Sequence, residues 1–212
     1  MNFCSKIGAI DNINVNCSLQ SGYEALGYIV SRSDIDYASI KYGYTASGEE
    51  GDTTDYPSTV VTEFALKDSK KGNFIAQLKN AFSGSATSFE SGDFRNTFTN
   101  TLQFKVFDNS PKAAEIINGL ANGEYVIILE QKEKGADGSS AFRIFGLENG
   151  LVATAVDNNA YDETLGNGWS VELQETGASN SALYLFTSDG TNPPSATTTA
   201  STIAAAFVQP TE

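Results

Sequence analysis

The stretch DFRNTFTNTLQFKVF, residues 93–107, alternates with a period of two. Phe94, Phe98, Leu102, Phe104 and Val106 fall on one side, with Asn96 and Asn100 among them. Arg95, Thr97, Thr99, Thr101, Gln103 and Lys105 fall on the other. Alternation places successive side chains on opposite faces of a pleated strand, so this is a long strand with one dry and one wet face. Thr and Phe are residues that suit such a half-buried surface. Directly after it, Ser110 and Pro111 make a helix start, because serine caps the free N–H groups and proline fits the first helical position. Ala113, Ile116, Ile117 and Leu120 follow at helical spacing, and Asn122-Gly123 supplies a stop. Tyr125, Ile127 and Leu129 then alternate with Val126 and Ile128, which is the pattern of a strand covered on both faces.

Working outward, Trp169, Val171 and Leu173 alternate with Ser170, Glu172 and Gln174. Further strands are expected at Gly27–Ser31, Thr59–Leu66, Asn73–Lys79, Ala141–Leu147, Leu151–Val156 and Ala182–Thr187, separated by Gly, Asn, Asp and Ser clusters. Asn149-Gly150 reads as a tight turn joining two of them. The expected fold is mainly β, an antiparallel β-sandwich or barrel with one short flanking α-helix. Two segments break the pattern. Tyr42–Ser58 is long, glycine-rich and acidic, and reads as a loop that is either functional or mobile. Ser188–Thr202 reads as a Ser/Thr-rich linker, and the apolar run after it as a tail that docks on its own domain or on a neighbour. The division is thus a β-sandwich domain over 1–187 and a C-terminal arm over 188–212.

The charge narrows the chemistry. The chain has 212 residues with 13 basic and 26 acidic side chains, a formal net charge of −13, and no histidine. Without histidine there is no Ser-His-Asp or Cys-His nucleophile and no His-ligated metal. Phosphate-backbone affinity needs clustered Lys and Arg, so a nucleic-acid binder is disfavoured, and so is attachment to an anionic membrane. No leader pattern and no run of about 18 apolar residues is visible, so no membrane anchor is expected. Carboxylate-only catalysis needs an acid in an apolar setting. Glu124 and Glu130, at the ends of a buried-looking strand, read as water-facing strand ends instead. Asp157, Asn158, Asn159, Asp162 and Glu163 could offer oxygen ligands to calcium, as could Glu49, Glu50, Asp52 and Asp55, but neither group has EF-hand spacing. Both read better as solvated turns. Cys4 and Cys17 read as free thiols, with a small disulfide loop as the alternative. No enzyme activity, metal or cofactor is expected. The tyrosines of the N-terminal third suit an interface and the core equally.

In order and texture the chain resembles the tail tube proteins (major tail proteins) of tailed bacteriophages. The resemblance rests on the strand Asp93–Phe107, the helix Pro111–Leu120, the strand Tyr125–Leu129, the run from Ala141 to Leu151, the acidic turn Tyr161-Asp162-Glu163, and the strand from Gly168 to Leu173. It covers roughly residues 25–187. It implies a virion structural protein, made in the bacterial host's cytoplasm, whose copies self-associate into hexameric rings stacked as a tube. One sheet of each copy would help line a channel for passing, non-adhering double-stranded DNA. Tube-end, tape-measure or sheath proteins would be further partners. Under that resemblance Glu63, Glu90, Asp93, Glu130 and Glu172 are the expected channel-facing acids. Tyr44, Glu49, Glu50, Asp52, Asp55 and Tyr56 are the expected ring-contact loop residues, and the tail is an arm or outward decoration. Two other readings stand beside it. One is a different structural β-protein, such as a capsid decoration or fimbrial subunit. The other is a carbohydrate-binding β-sandwich, although Trp169 alternates with core positions and makes a poor sugar platform.

Overall fold

A computed structural model describes residues 22–45, 55–77, 82–158, 168–189 and 192–210. The alternating runs form strands β1 (Tyr23–Ser31), β2 (Lys41–Tyr44), β3 (Tyr56–Glu63), β4 (Asn73–Ala76), β5 (Ala86–Glu90), β6 (Thr97–Val106), β7 (Tyr125–Gln131), β8 (Phe142–Phe145), β9 (Val152–Asn158), β10 (Trp169–Ala178) and β11 (Leu183–Leu185). Helix α1 spans Pro111–Asn122 and helix α2 spans Ala196–Ala206. The strands make a seven-stranded sheet, in the order β2-β3-β11-β8-β7-β1-β4, and a four-stranded sheet, in the order β5-β6-β10-β9. The fold is mainly β, as the alternation predicts. Pairing is antiparallel except between β11 and β3, which run parallel.

The strand that decides the fold begins at Thr97, four residues later than its alternation suggests. Phe94 lies ahead of it on the β5–β6 turn and is fully exposed, so period two alone overextends the dry face. Within β6, Leu102 and Phe104 are buried against Val171 and Leu173 of β10. They meet Ile127, Leu129 and Phe145 of the larger sheet in one core, which Ile117 and Leu120 of α1 close. Strand β7 is covered on both faces. Val126 and Ile128 point into a second core on the far side of the large sheet, with Tyr28, Phe64, Ile203 and Phe207.

Helix α2 supplies that second core and is the main departure from expectation. Its sequence, ATTTASTIAAA, is rich in β-branched residues of low helix propensity and reads locally as linker. Two things override propensity. The hydroxyl of Ser195 accepts from the backbone N–H of Thr198 while the Thr198 side chain accepts from the backbone N–H of Ser195, a reciprocal cap. The helix also buries Thr199, Ile203 and Ala206. The chain then bonds to the large sheet's edge: Gly72 N–H donates to Ala206 O and Val208 N–H donates to Gly72 O, each at 3.0 Å. Gly72 has to be glycine, since a Cβ there would sit 2.4 Å from the Phe207 ring. The tail thus docks on its own domain, and up to Phe207 it belongs to the body rather than to a separate arm. Among the described residues there are two α-helices where one was expected.

Three smaller corrections have local causes. Tyr42–Tyr44 and Tyr56–Ser58, expected in a loop, are strand residues, with Tyr44 paired to Tyr56 across β2 and β3. Strand β5 is exposed at every position and so carries no dry-face signal. The Asn149-Gly150 turn does not close a hairpin: β8 belongs to the seven-stranded sheet and β9 to the four-stranded one, so the turn carries the chain between layers.

Gln77, just beyond β4, ties the layers together at their open end. Its Oε1 accepts from Lys105 N–H at 3.0 Å and its Nε2 donates to Lys105 O at 2.8 Å. Gln77→Ala leaves both backbone groups without a partner and is expected to cost about 1–3 kcal/mol. Urea unfolding of the variant measures it, and a cost below about 0.5 kcal/mol, the range of neutral surface changes, would contradict this role.

Candidate functional site

The wet face of the four-stranded sheet follows directly from register. Thr97, Thr99, Thr101, Gln103 and Lys105 of β6 share it with Ala86, Ser88 and Glu90 of β5 and with Ser170, Glu172 and Gln174 of β10. Its side chains bond to each other rather than to a ligand geometry. Thr99 donates to Glu90 Oε1 at 2.5 Å, Gln103 Nε2 to Glu172 Oε2 at 2.6 Å, and Thr154 Oγ1 to Glu172 Oε1 at 2.9 Å. The result is a hydroxyl- and amide-rich surface that carries Glu90 at one end of β6, Glu172 in the middle, and Lys105 and Asp157 toward the other end. Strands β5 and β9 end the sheet, with no further strand beside them among the described residues.

The five expected channel acids do not gather on this face. Glu90 and Glu172 are on it, and Asp93 is exposed on the β5–β6 turn at its end. Glu63 ends β3 in the other sheet, ion-paired with Lys41 at 2.7 Å. Glu130 is on β7, also in the other sheet, ion-paired with Lys134. Of the expected ring-contact residues, Glu49, Glu50 and Asp52 lie outside the described residues, as do Cys4, Cys17, Asn159, Asp162 and Glu163. Asp55 is exposed beside β3. Tyr56 is engaged within its own chain: its ring meets Phe186 edge-on at 5.2 Å, and its hydroxyl donates to Asp137 Oδ2 at 3.3 Å. Burial raises the Tyr56 pKa, and the neighbouring Asp137 charge adds to that. For Asp137 burial works upward, but the N–H and hydroxyl of Ser139 and the Tyr56 hydroxyl outweigh it and hold the carboxyl below its ordinary value.

The most organised polar cluster was not anticipated. Glu175 is 3% exposed and accepts four hydrogen bonds. Oε1 takes the N–H groups of Glu148 and Asn149 at 3.1 and 2.9 Å. Oε2 takes Asn100 Nδ2 at 2.9 Å and Gly146 N–H at 3.0 Å. Asn100 Oδ1 in turn accepts from Thr87 Oγ1 at 2.8 Å and Ala182 N–H at 3.1 Å. Gly146 bends the chain with φ +81°, and a Cβ there would lie 2.5 Å from Tyr125 O. The carboxylate is therefore a fully satisfied anchor for the turn between the layers. The space beside it is only about 10 Å³, too small for a substrate. Its signal was available: continuing the alternation of Val171 and Leu173 puts Glu175 on the dry face, where register sets it opposite Asn100.

Among the described residues, a concavity of about 560 Å³ is lined by Arg32, Tyr37, Lys67 and Glu124. A groove of about 670 Å³ opens between β4, the end of β6 and α1, and the exposed side chains of Phe74, Phe107 and Ile116 are among its lining. Among the described residues no cluster of three or more acids and cysteines is placed to hold a metal, and no helix is long and apolar enough to cross a membrane. Trp169 is half-buried against the inter-sheet core. Compared with known proteins, the chain matches no family model, no curated sequence and no solved structure.

Proposed function

We propose that this protein is a structural building block whose copies join through sheet edges into rings and a tube, with the wet face of the four-stranded sheet turned toward a channel for double-stranded DNA. The tail tube of a tailed bacteriophage is the setting that fits, with tube-end, tape-measure or sheath proteins as neighbours. The observation that carries the reading is the polar sheet face bounded by strands β5 and β9, neither followed by a further strand among the described residues. A strand at a sheet edge offers unpaired N–H and C=O groups to another strand, and ring closure satisfies them without open-ended aggregation. The charge agrees in sign. A chain at −13 repels phosphates, and a wall of hydroxyls, amides and carboxylates offers DNA no lysine or arginine cluster from which to release counterions. On this reading Glu90 and Glu172 are the wall acids, while Glu63 and Glu130 stand on the other sheet with lysine partners.

Negative-stain microscopy of the concentrated native protein is expected to show rings or tubes. A Glu90→Lys, Glu172→Lys double variant is expected to assemble equally well, but its tubes retain DNA at low salt and lose it as salt rises. Native protein that forms neither rings nor tubes, or variant tubes that pass DNA as freely as native ones, would contradict the proposal.

A further inference from the structure

Residues 12–20, NINVNCSLQ, alternate with a period of two: Ile13, Val15, Cys17 and Leu19 fall on one side, and Asn12, Asn14, Asn16, Ser18 and Gln20 on the other. That is the pattern of a strand with one apolar face, which needs a sheet edge to bond to and an apolar floor to cover. These residues lie outside the described ones and lead into β1 through Gly22. Strand β1 cannot take them, because from Gly27 to Ile29 it is paired with β4 on one flank and β7 on the other. The next edge over is that of β4, which ends the seven-stranded sheet. Backbone groups along an antiparallel pair turn alternately toward the partner and away from it. Gln77 N–H donates to Ala25 O at 2.7 Å, so Asn73 and Ile75 face β1, while Gly72, Phe74 and Ala76 face outward. The C-terminal tail takes the two outward groups of Gly72, through Ala206 O and Val208 N–H. Carrying that ladder on would need an N–H at position 210 for Phe74 O, and the residue there is Pro210. Gln77 Nε2 donates to Ala76 O at 3.0 Å. Phe74 N–H, Phe74 O and Ala76 N–H are left on the outer edge with no partner among the described residues. Beside this edge lies the 670 Å³ groove, floored by Ile29, Ile75, Phe104, Val106 and Leu120. Its far wall is the end of β6 beyond Thr101, where pairing with β5 stops.

We propose that residues 12–20 of the same chain lie as an added strand along the outer edge of β4, with Ile13 and Val15 turned into the β4–β6–α1 groove. The length of chain suffices. From Gly22 to the level of Leu26 and Ala76, and across two strand spacings, is about 16 Å, and the chain from Val15 to Gly22 reaches about 23 Å. A tethered segment meets its slot at an effective concentration far above that of a free partner, so the chain's own strand fills the groove ahead of a second copy's. Residues 12–20 carry no charged side chain, so the apolar floor has no unpaired ion to accept. Asn12, Asn14 and Asn16 then face water. The inference does not use the self-assembly reading. It closes one sheet edge within the chain and leaves the edges at β5 and β9 for neighbours.

Amide exchange at Phe74 and Ala76 reads the added strand directly. In the native full-length chain both amides are expected to exchange at least about tenfold more slowly than unprotected ones. An Ile13→Asp, Val15→Asp double variant is expected to lose that protection while Ile127 and Ile128 of β7 keep theirs. Ile116→Asp, at the exposed rim of the groove, is expected to give the same selective loss from the other side. Freely exchanging Phe74 and Ala76 amides in the native chain, or protection that survives both variants, would overturn the proposal. Protection that fades on dilution would overturn it too, since the strand would then come from a second copy. None of these results depends on whether the native protein forms rings.

Discussion

Glu175→Ala is expected to remove about 3–5 kcal/mol of folding stability, comparable with breaking a buried charged network. The truncation deletes the acceptor of three backbone N–H groups in the turn after β8. The N–H groups of Gly146, Glu148 and Asn149 and the amide of Asn100 would be left inside without partners. Each orphaned donor carries its own desolvation penalty. The loss also spreads, because Asn100 orients Thr87 and Ala182, so β5 and the entry to β11 loosen together. Glu175→Gln keeps the shape and one acceptor oxygen but turns an NH2 group toward N–H donors, so it is expected to fall between native and alanine. Denaturant unfolding of the three proteins measures the series. An alanine variant within about 1 kcal/mol of native would mean that the turn is held by something else. Natural domains have about 5–15 kcal/mol in hand, so the alanine variant is expected to be partly unfolded at growth temperature.

Phe207→Ala is expected to cost about 3–5 kcal/mol, the range for emptying a large aromatic site in a core. Phe207 is 1% exposed, its ring lies 5.2 Å from Tyr28 and stacks on Phe64 at 6.3 Å, and it covers Gly72. Removing it detaches the last turn of α2 from the sheet edge, because Ala206 O and Val208 N–H bond on either side of it to Gly72. The second core would then open to water along Tyr28, Phe64 and Ile203. The change is read as a lowered unfolding midpoint, together with loss of amide-exchange protection in α2. Unaltered protection there would show that the helix is held without Phe207.

Both sites illustrate what is legible in the residues. Strands with buried faces declare themselves: β7 and β10 start where alternation puts them, β6 follows its alternation from Thr97 onward, and α1 follows from Ser110-Pro111 and its apolar stripe. Elements whose stability comes from tertiary contacts do not. β5 has no buried side at all, and α2 is a poor helix former that exists because Ser195 and Thr198 cap it and the large sheet receives Ile203 and Phe207. The layer-crossing turn at Asn149-Gly150 looks like a hairpin because local turn chemistry says nothing about which sheet the chain enters next. The Glu175 anchor lay one step beyond the alternation of β10, hidden because a carboxylate on a dry face needs partners from two other segments, β6 and the turn after β8, before it makes sense. Of the acids nominated for the channel, strand parity groups Glu90 with Glu172. It carries no information on Glu63 and Glu130, which belong to the other sheet.

Sedimentation of the native chain over a wide concentration range tests most directly the claim that copies of this protein complete one another. The account predicts that the 22.5 kDa species gives way, as concentration rises, to a ring of fixed copy number and then to longer stacks. A mass that stays at 22.5 kDa at every concentration would contradict it.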